Sequence, residues 1–316
     1  MKFFNTAGPI NVEDHFCIDP LSRFDMMDIL QLIEQKKYFI LRAPKQSGKT
    51  SFLLALADYL NKQGKFKCLY FNIESVHTDQ NDLAESVKGI LNELSSRARD
   101  FLDDDYPERI TPKILSERGP NQSINEILTL WVKSSDKPII LLIDDIDSIK
   151  GSIFASLLRQ LRSGYDKRPK LFPHSIVLCG VEDIRFVKIT DSSGDVVTAG
   201  DIFNIDAKSL RLNNFNLDEI KSLFHQGIDN IGIEIEENAI QKIWQLTDGQ
   251  PWIVNALGYE ICFEMIPRKQ DIKKIRERDV DEAAENIIQR REMHLRNLVD
   301  KLSEDRVKKL ISCMLI

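Results

Sequence analysis

Apolar residues along this chain follow two rhythms, and the rhythm changes between Leu212 and Asn216. Before that point, short strand-like runs alternate with helical stretches. Tyr38-Phe39-Ile40-Leu41 is rich in β-branched and aromatic residues, Phe66 to Ile73 alternates and then runs apolar, and Ser175 to Gly180 and Ser209 to Leu212 read as later strands. Ile139-Ile140-Leu141-Leu142-Ile143 is apolar throughout, which demands burial on both faces, as at the centre of a parallel sheet. Helical spacing marks Leu21 to Ile33, Thr50 to Ala57, Asp79 to Leu102, Ser123 to Lys133 and Ile153 to Leu161. Beyond Asn216 only helical spacing remains, over residues 217–231, 237–246, 251–265 and 279–299. The pattern predicts an α/β unit followed by a helical one.

Chemistry enters at the turn from the first strand into its helix. Ala43-Pro44-Lys45-Gln46-Ser47-Gly48-Lys49-Thr50 fits the pattern in which backbone N–H groups converge on phosphate oxygens while a lysine and a hydroxyl reach onward. Only its first position departs, Ala43 standing where glycine is usual; this is a small change if its φ is negative and a strained one otherwise. The second landmark is Asp144-Asp145, at the carboxyl end of the buried strand, where open α/β sheets bind ligands. Alone, either aspartate can be a cap for the next turn. In this order, with one strand between them, the two segments read as Walker A and Walker B motifs of a nucleotide hydrolase.

Other positions carry weaker signals. Arg23 lies on the segment preceding the first strand, which serves either to cover a nucleotide or simply to pack. Arg159 and Arg162 end the helix after Asp145, either reaching toward a neighbouring nucleotide or lying on the surface. Glu182, Asp183 and Arg185 follow the fourth strand near the expected γ-phosphate, and Asp191 to Gly200 reads as a mobile loop. Asp103-Asp104-Asp105 reads as a solvated helix exit. Arg268 to Arg278 is locally basic, a nucleic-acid contact or a solvated helix face.

Composition narrows the class. With 42% hydrophobic residues a full core can be buried, and a net charge of −6 argues against a chain that coats nucleic acid along its whole surface. Five scattered cysteines form no disulfide framework or metal knuckle, the first ten residues do not read as a secretory signal, and the apolar runs are too short to span a bilayer. A soluble, cytoplasmic protein without membrane contact is expected.

The strand, phosphate loop, intervening strand, acidic pair and Gly249-Gln250-Pro251 resemble bacterial AAA-like ATP-binding proteins, near the signal-transduction ATPases with numerous domains and the origin-recognition type. Phe4 to Pro9, Leu21-Ser22-Arg23, Gln35 to Phe39 and Ser209 to Leu212 look like stereotyped segments of one branch. The resemblance implies a P-loop NTPase three-layer sandwich with a parallel sheet in the order 5-1-4-3-2, followed by an α-helical lid. It divides the chain into an arm and helix flanking the nucleotide site (1–36), a core (37–214), a lid (215–300) and the start of an incomplete C-terminal segment (301–316). ATP and Mg²⁺ are the implied ligands, and the Asn-Lys-x-Asp guanine signature is absent.

The expected site follows. Ala43, Pro44, Lys45, Gln46, Ser47, Gly48, Lys49, Thr50 and Ser51, with Arg23 and Pro251, hold nucleotide; Thr50 and Asp144 hold the metal; Asp145 orients water, assisted by Lys49 and by Arg185. Asp145 stands where such proteins often have Glu, and Glu182 where this branch commonly has Arg, so slow hydrolysis is expected. The function is then an ATPase acting as a nucleotide-dependent switch, or a nucleotide-gated DNA- or protein-binding module with little turnover. The helical region would meet the partner, and a nucleotide-dependent oligomer fits either reading.

Overall fold

A computed structural model of the chain describes all residues except 75, 77–81, 191–195, 206, 270–272, 291–299, 301, 304–307 and 309–316. The expected continuation of the last helix through Val299, the apolar stretch Leu310 to Ile316 and residues 191–195 of the expected loop Asp191 to Gly200 lie outside or partly outside the described residues. Two compact units are formed: Asp19–Asn213, and Met1–Ile18 together with Asn214–Ile316. The arm and the helix expected as one flanking segment are therefore divided between units. The reason lies in the side chains: Phe4 and Phe16 are buried among Phe224, Val254 and Leu257, whereas Ile29, Leu32 and Ile33 of the helix pack with Phe39 and Phe52 of the α/β unit.

The α/β unit is built on a parallel sheet of β1 (Phe39–Arg42), β2 (Lys67–Asn72), β3 (Ile139–Asp144), β4 (Ser175–Gly180) and β5 (Lys208–Arg211). Its spatial order is β2-β3-β4-β1-β5, every neighbouring pair parallel. Alternation along each strand sorts the core into two layers. Phe39, Leu41, Cys68, Ile140, Leu142, Val177 and Cys179 face α1 (Met26–Glu34) and α2 (Lys49–Lys62). Ile40, Leu69, Phe71, Leu141, Ile143, Ile176 and Leu178 face α3 (Leu83–Leu102), α4 (Tyr106–Arg118), α5 (Ser123–Ser134) and α6 (Gly151–Ser163). The uninterrupted apolar run of β3 is thus explained by its two covered faces.

Helix α4 begins where only a loop was expected. Pro107 falls in its first turn, where the missing N–H costs nothing, and the aspartate triplet before it is not simply solvated. Asp104 accepts from Trp131 Nε1 at 3.0 Å and from Lys67 Nζ at 3.3 Å, pinning the α3–α4 corner to α5 and β2. After β4 the chain makes a short antiparallel hairpin, Lys188–Thr190 with Val196–Thr198, and helix α7 (Ala199–Phe203).

The second unit packs α8 (Leu217–Ile231), α9 (Glu237–Thr247), α10 (Pro251–Tyr259), α11 (Ile266–Lys269) and α12 (Glu277–Gln289) around its own apolar core. The stretch expected as one helix over 251–265 changes at Glu260–Met265 into a π-helical turn. There the buried Glu260 carboxylate accepts from Asn286 Nδ2 at 3.0 Å and from Arg290 Nη1 at 2.7 Å, fastening α12. A two-residue parallel pairing, Glu234–Ile235 with Lys274–Ile275, was not anticipated.

The turn into α10 is tightly packed. Gly249 has φ +68°, and a Cβ there would lie 1.9 Å from Phe215 O. Gly249→Ala is expected to destabilise this unit by about 3 kcal/mol, through left-handed backbone strain plus displacement of Phe215. Thermal melting of the full chain checks this; an unchanged midpoint contradicts the packing.

Candidate nucleotide site

Strand β1 ends at Arg42 and hands the chain to the loop at Ala43, whose N–H donates to Gly180 O at 3.2 Å. Ala43 is buried and is not among the residues with positive φ, so its methyl group in place of a hydrogen brings no backbone strain. The left-handed positions of the loop are Gln46 (φ 60°) and Gly48 (φ 95°). Gly48 is the N-cap of α2 and offers no side-chain cap, so the first N–H groups of a 14-residue helix have no side-chain cap to satisfy them, an arrangement suited to phosphate. Ser47 Oγ donates to Pro44 O at 2.8 Å and holds the loop closed.

Lys49 is buried, and its Nζ donates to Ala43 O and Pro44 O, each at 3.0 Å. An ammonium bonded to neutral carbonyls keeps its full charge for an anion that enters the loop. Ser51 is buried in the first turn of α2, and Lys45 and Gln46 are exposed on the loop. Arg23, at the end of the 3-10 turn Pro20–Arg23, reaches the loop from outside, with Nη1 3.5 Å from Ser47 O.

The acidic half comes from β3. Asp144 is fully buried; its Oδ2 accepts from Thr50 Oγ1 at 2.6 Å and from Tyr70 OH at 3.2 Å. Burial and the neighbouring Asp144 charge push the Tyr70 phenol up, so it remains a donor. Thr50 and Asp144 therefore meet across 94 residues of sequence. Asp145 follows with φ 51°, a left-handed position that Asp and Asn tolerate better than most side chains. Burial, then the charge of Asp144, raises its carboxyl above the ordinary value, while the Asn72 amide opposes the shift by donating to Oδ2 at 2.7 Å.

The family model described as "ATPase domain predominantly from Archaea" matches residues 25–257. The chain belongs to this ATPase-domain family. No curated protein matches it. Among solved structures, it is similar to the Walker-type ATPase PABY2304 of Pyrococcus abyssi, with 18% identity, a TM-score of 0.60, and coverage of 95% of this chain and 79% of that one. It is also similar to Cdc6p of Pyrobaculum aerophilum, with 16% identity, a TM-score of 0.53, and coverage of 84% and 66% respectively. These likenesses concern the fold, a P-loop ATPase sheet with its flanking helices.

In this ATPase domain Lys49, Thr50, Asp144, Asp145 and Arg23 converge on the carboxyl ends of the central strands, while the contacts of Arg185 are to other residues. Its guanidinium clasps the Asp183 carboxylate at 2.9 and 2.7 Å and donates to Ala207 O at 3.2 Å. Ala207 directly precedes β5. This ion pair holds the Asp183 carboxyl down at about 2 and engages the arginine expected to assist the γ-phosphate. Pro251 opens α10 in the second unit, where the Gln250 side chain accepts from Ile253 N. Of the described residues in the basic stretch, Arg268, Lys274, Arg276 and Arg278 pair with Glu264, Glu234, Glu236 and Asp279.

Two site residues escaped sequence reading, Asn72 and Tyr70. Their signal was a polar end on an apolar strand: Asn72 pairs in register with Asp144 and so stands beside the acidic pair. Asn72→Ala removes the donor that lowers the Asp145 carboxyl, so the acid limb of any turnover is expected to move to higher pH. A kcat/KM profile against pH checks the direction; an unmoved limb would separate Asn72 from Asp145.

Thr50 Oγ1 and Asp144 Oδ2 are hard oxygen donors that fit Mg²⁺, a cation usually held by one or two protein oxygens plus water and phosphate. Among the described residues no cluster of three or more His, Cys, Asp or Glu could hold a metal by itself. Nor is any described helix long and apolar enough to cross a membrane.

Proposed function

We propose that this chain binds ATP on the Ala43–Thr50 loop and hydrolyses it slowly, as a nucleotide-dependent switch. The carrying observation is the 2.6 Å bond from Thr50 Oγ1 to Asp144 Oδ2, which unites the phosphate loop with the acidic pair. Backbone N–H groups at the start of α2 hold the β-phosphate, and Lys49 exchanges loop carbonyls for β- and γ-oxygens. Thr50 and Asp144 would hold Mg²⁺, which supplies charge neutralisation at the phosphates when bound. Asp145 accepts a hydrogen bond from the attacking water, orients it and takes its proton. Slowness is supported by the short reach of Asp145 and by the Asn72 amide that engages it. In this reading the Gly249-Gln250-Pro251 turn answers to nucleotide state.

Calorimetry with ATP and Mg²⁺, read beside steady-state phosphate release and oligomeric state, tests the proposal. Binding with measurable release is expected, and absence of binding would refute it. The Asn72 contact also favours a second reading, a nucleotide-gated module that meets DNA or a protein through its helical unit. Tight binding without release, with or without DNA, would select that reading.

A further inference from the structure

Only one residue separates the last hydrogen bond of the sheet from the first bond of the helical unit. Leu212 N donates to Arg42 O at 3.0 Å and so continues the α/β unit beyond β5. Asn214 Nδ2 donates to Asp248 O at 2.8 Å and Phe215 N to Gly249 O at 2.8 Å, so the chain is already fastened to the turn before α10. Asn213 lies between, at one of the two points where the chain passes from one unit to the other.

Arg23 holds this residue. Its Nη2 donates to Asn213 O, while Nη1 of the same planar guanidinium lies 3.5 Å from Ser47 O in the phosphate loop. The residue itself is fixed: Asp19 caps the 3-10 turn that carries it, and the adjoining Phe24 ring packs on Phe52 of α2 with centroids 4.5 Å apart. In a trans peptide the Ser47 carbonyl and the Gly48 N–H point in opposite directions. An N–H that donates to a phosphate polarises its own carbonyl, and so strengthens a bond donated to that carbonyl. The rigid fork of the arginine then carries any shift of the Ser47–Gly48 peptide to the Asn213 carbonyl.

We propose that Arg23 is a positioning residue that transmits occupancy of the phosphate loop to the chain junction at Asn213. The inference rests on the ATP site proposed above and adds a route from that site to the residue at which the α/β unit ends. Because Asn213 is held through its backbone carbonyl, the device depends on Arg23 and not on the asparagine side chain.

Amide hydrogen exchange over residues 212–216 of the full chain, without nucleotide and at saturating ATP and Mg²⁺, tests the inference. In the wild type, exchange is expected to change about tenfold on binding, a typical coupling. In Arg23→Gln it should change less than about twofold even when calorimetry shows the site saturated. Arg23→Lys replaces the fork with a single nitrogen; it is expected to lose the response likewise and serves if the glutamine variant does not fold. Full response in either folded, saturated variant would overturn the coupling, as would a wild type that binds ATP with unchanged exchange at 212–216. A wild type that binds no ATP overturns the site itself, a distinct outcome.

Discussion

Lys49→Ala is expected to weaken ATP binding by on the order of 100-fold, since two charge-assisted hydrogen bonds at about 1.5 kcal/mol each are lost. The argument is local. Lys49 is buried, and its ammonium already rests on two loop carbonyls, so it is a fixed charge at the mouth of α2 and not a flexible surface group. Without it, the uncapped N-terminus of α2 remains, and its partial positive charge alone is a weak counterpart to a triphosphate. Calorimetric titration of wild type and variant with ATP and Mg²⁺ measures the loss. Equal affinity in the two proteins would show that nucleotide binds elsewhere, whatever the loop resembles. The fold should survive, because the methylenes removed contribute little to a core dominated by Phe39, Phe52 and Leu53, and a melting curve provides that control.

Much of the α/β unit was legible because its strands are doubly buried. Ile139 to Ile143 has no polar position to hide, so its place as an interior strand of the sheet follows from composition alone. The loop and acidic pair were legible for a different reason: their chemistry requires particular residues at particular spacing. What escaped was set by partners distant in sequence. Asn72 is an ordinary polar strand end until register puts it beside Asp144. The partners of Arg185 were not legible either: sequence order after β4 does not show that its guanidinium meets Asp183 and Ala207 O. Asp104 looked like one of three equivalent surface carboxylates until Trp131, 27 residues away, supplied a donor. The arm Met1–Ile18 precedes the α/β unit in sequence yet belongs to the helical unit, since the pocket for Phe4 is made by residues beyond 215.

Asp145→Asn is expected to keep ATP binding near the wild-type level and to lower turnover by about 10²–10⁴-fold, the usual weight of a general base. The substitution is well matched to the site. Asparagine tolerates the left-handed backbone at φ 51° and still offers an oxygen to the Asn72 amide, so what it removes is the basic carboxylate. It should also stabilise the nucleotide-free protein at neutral pH. Burial and Asp144 raise the Asp145 carboxyl above its unfolded value, so the folded state binds the proton more tightly than the unfolded one. Ionisation of Asp145 therefore costs stability, and this cost grows as pH rises from the ordinary carboxylate range through the raised folded value. Below that range both states are protonated and the cost vanishes. The variant carries no such cost, so its melting midpoint should exceed the wild type at pH 7 and converge with it in acid. Loss of phosphate release with binding and convergence as stated would make Asp145 both the least comfortable charge in the resting site and the one its chemistry needs. Turnover retained by Asp145→Asn would instead assign the water to another group and leave Asp145 as a partner of Asn72 alone.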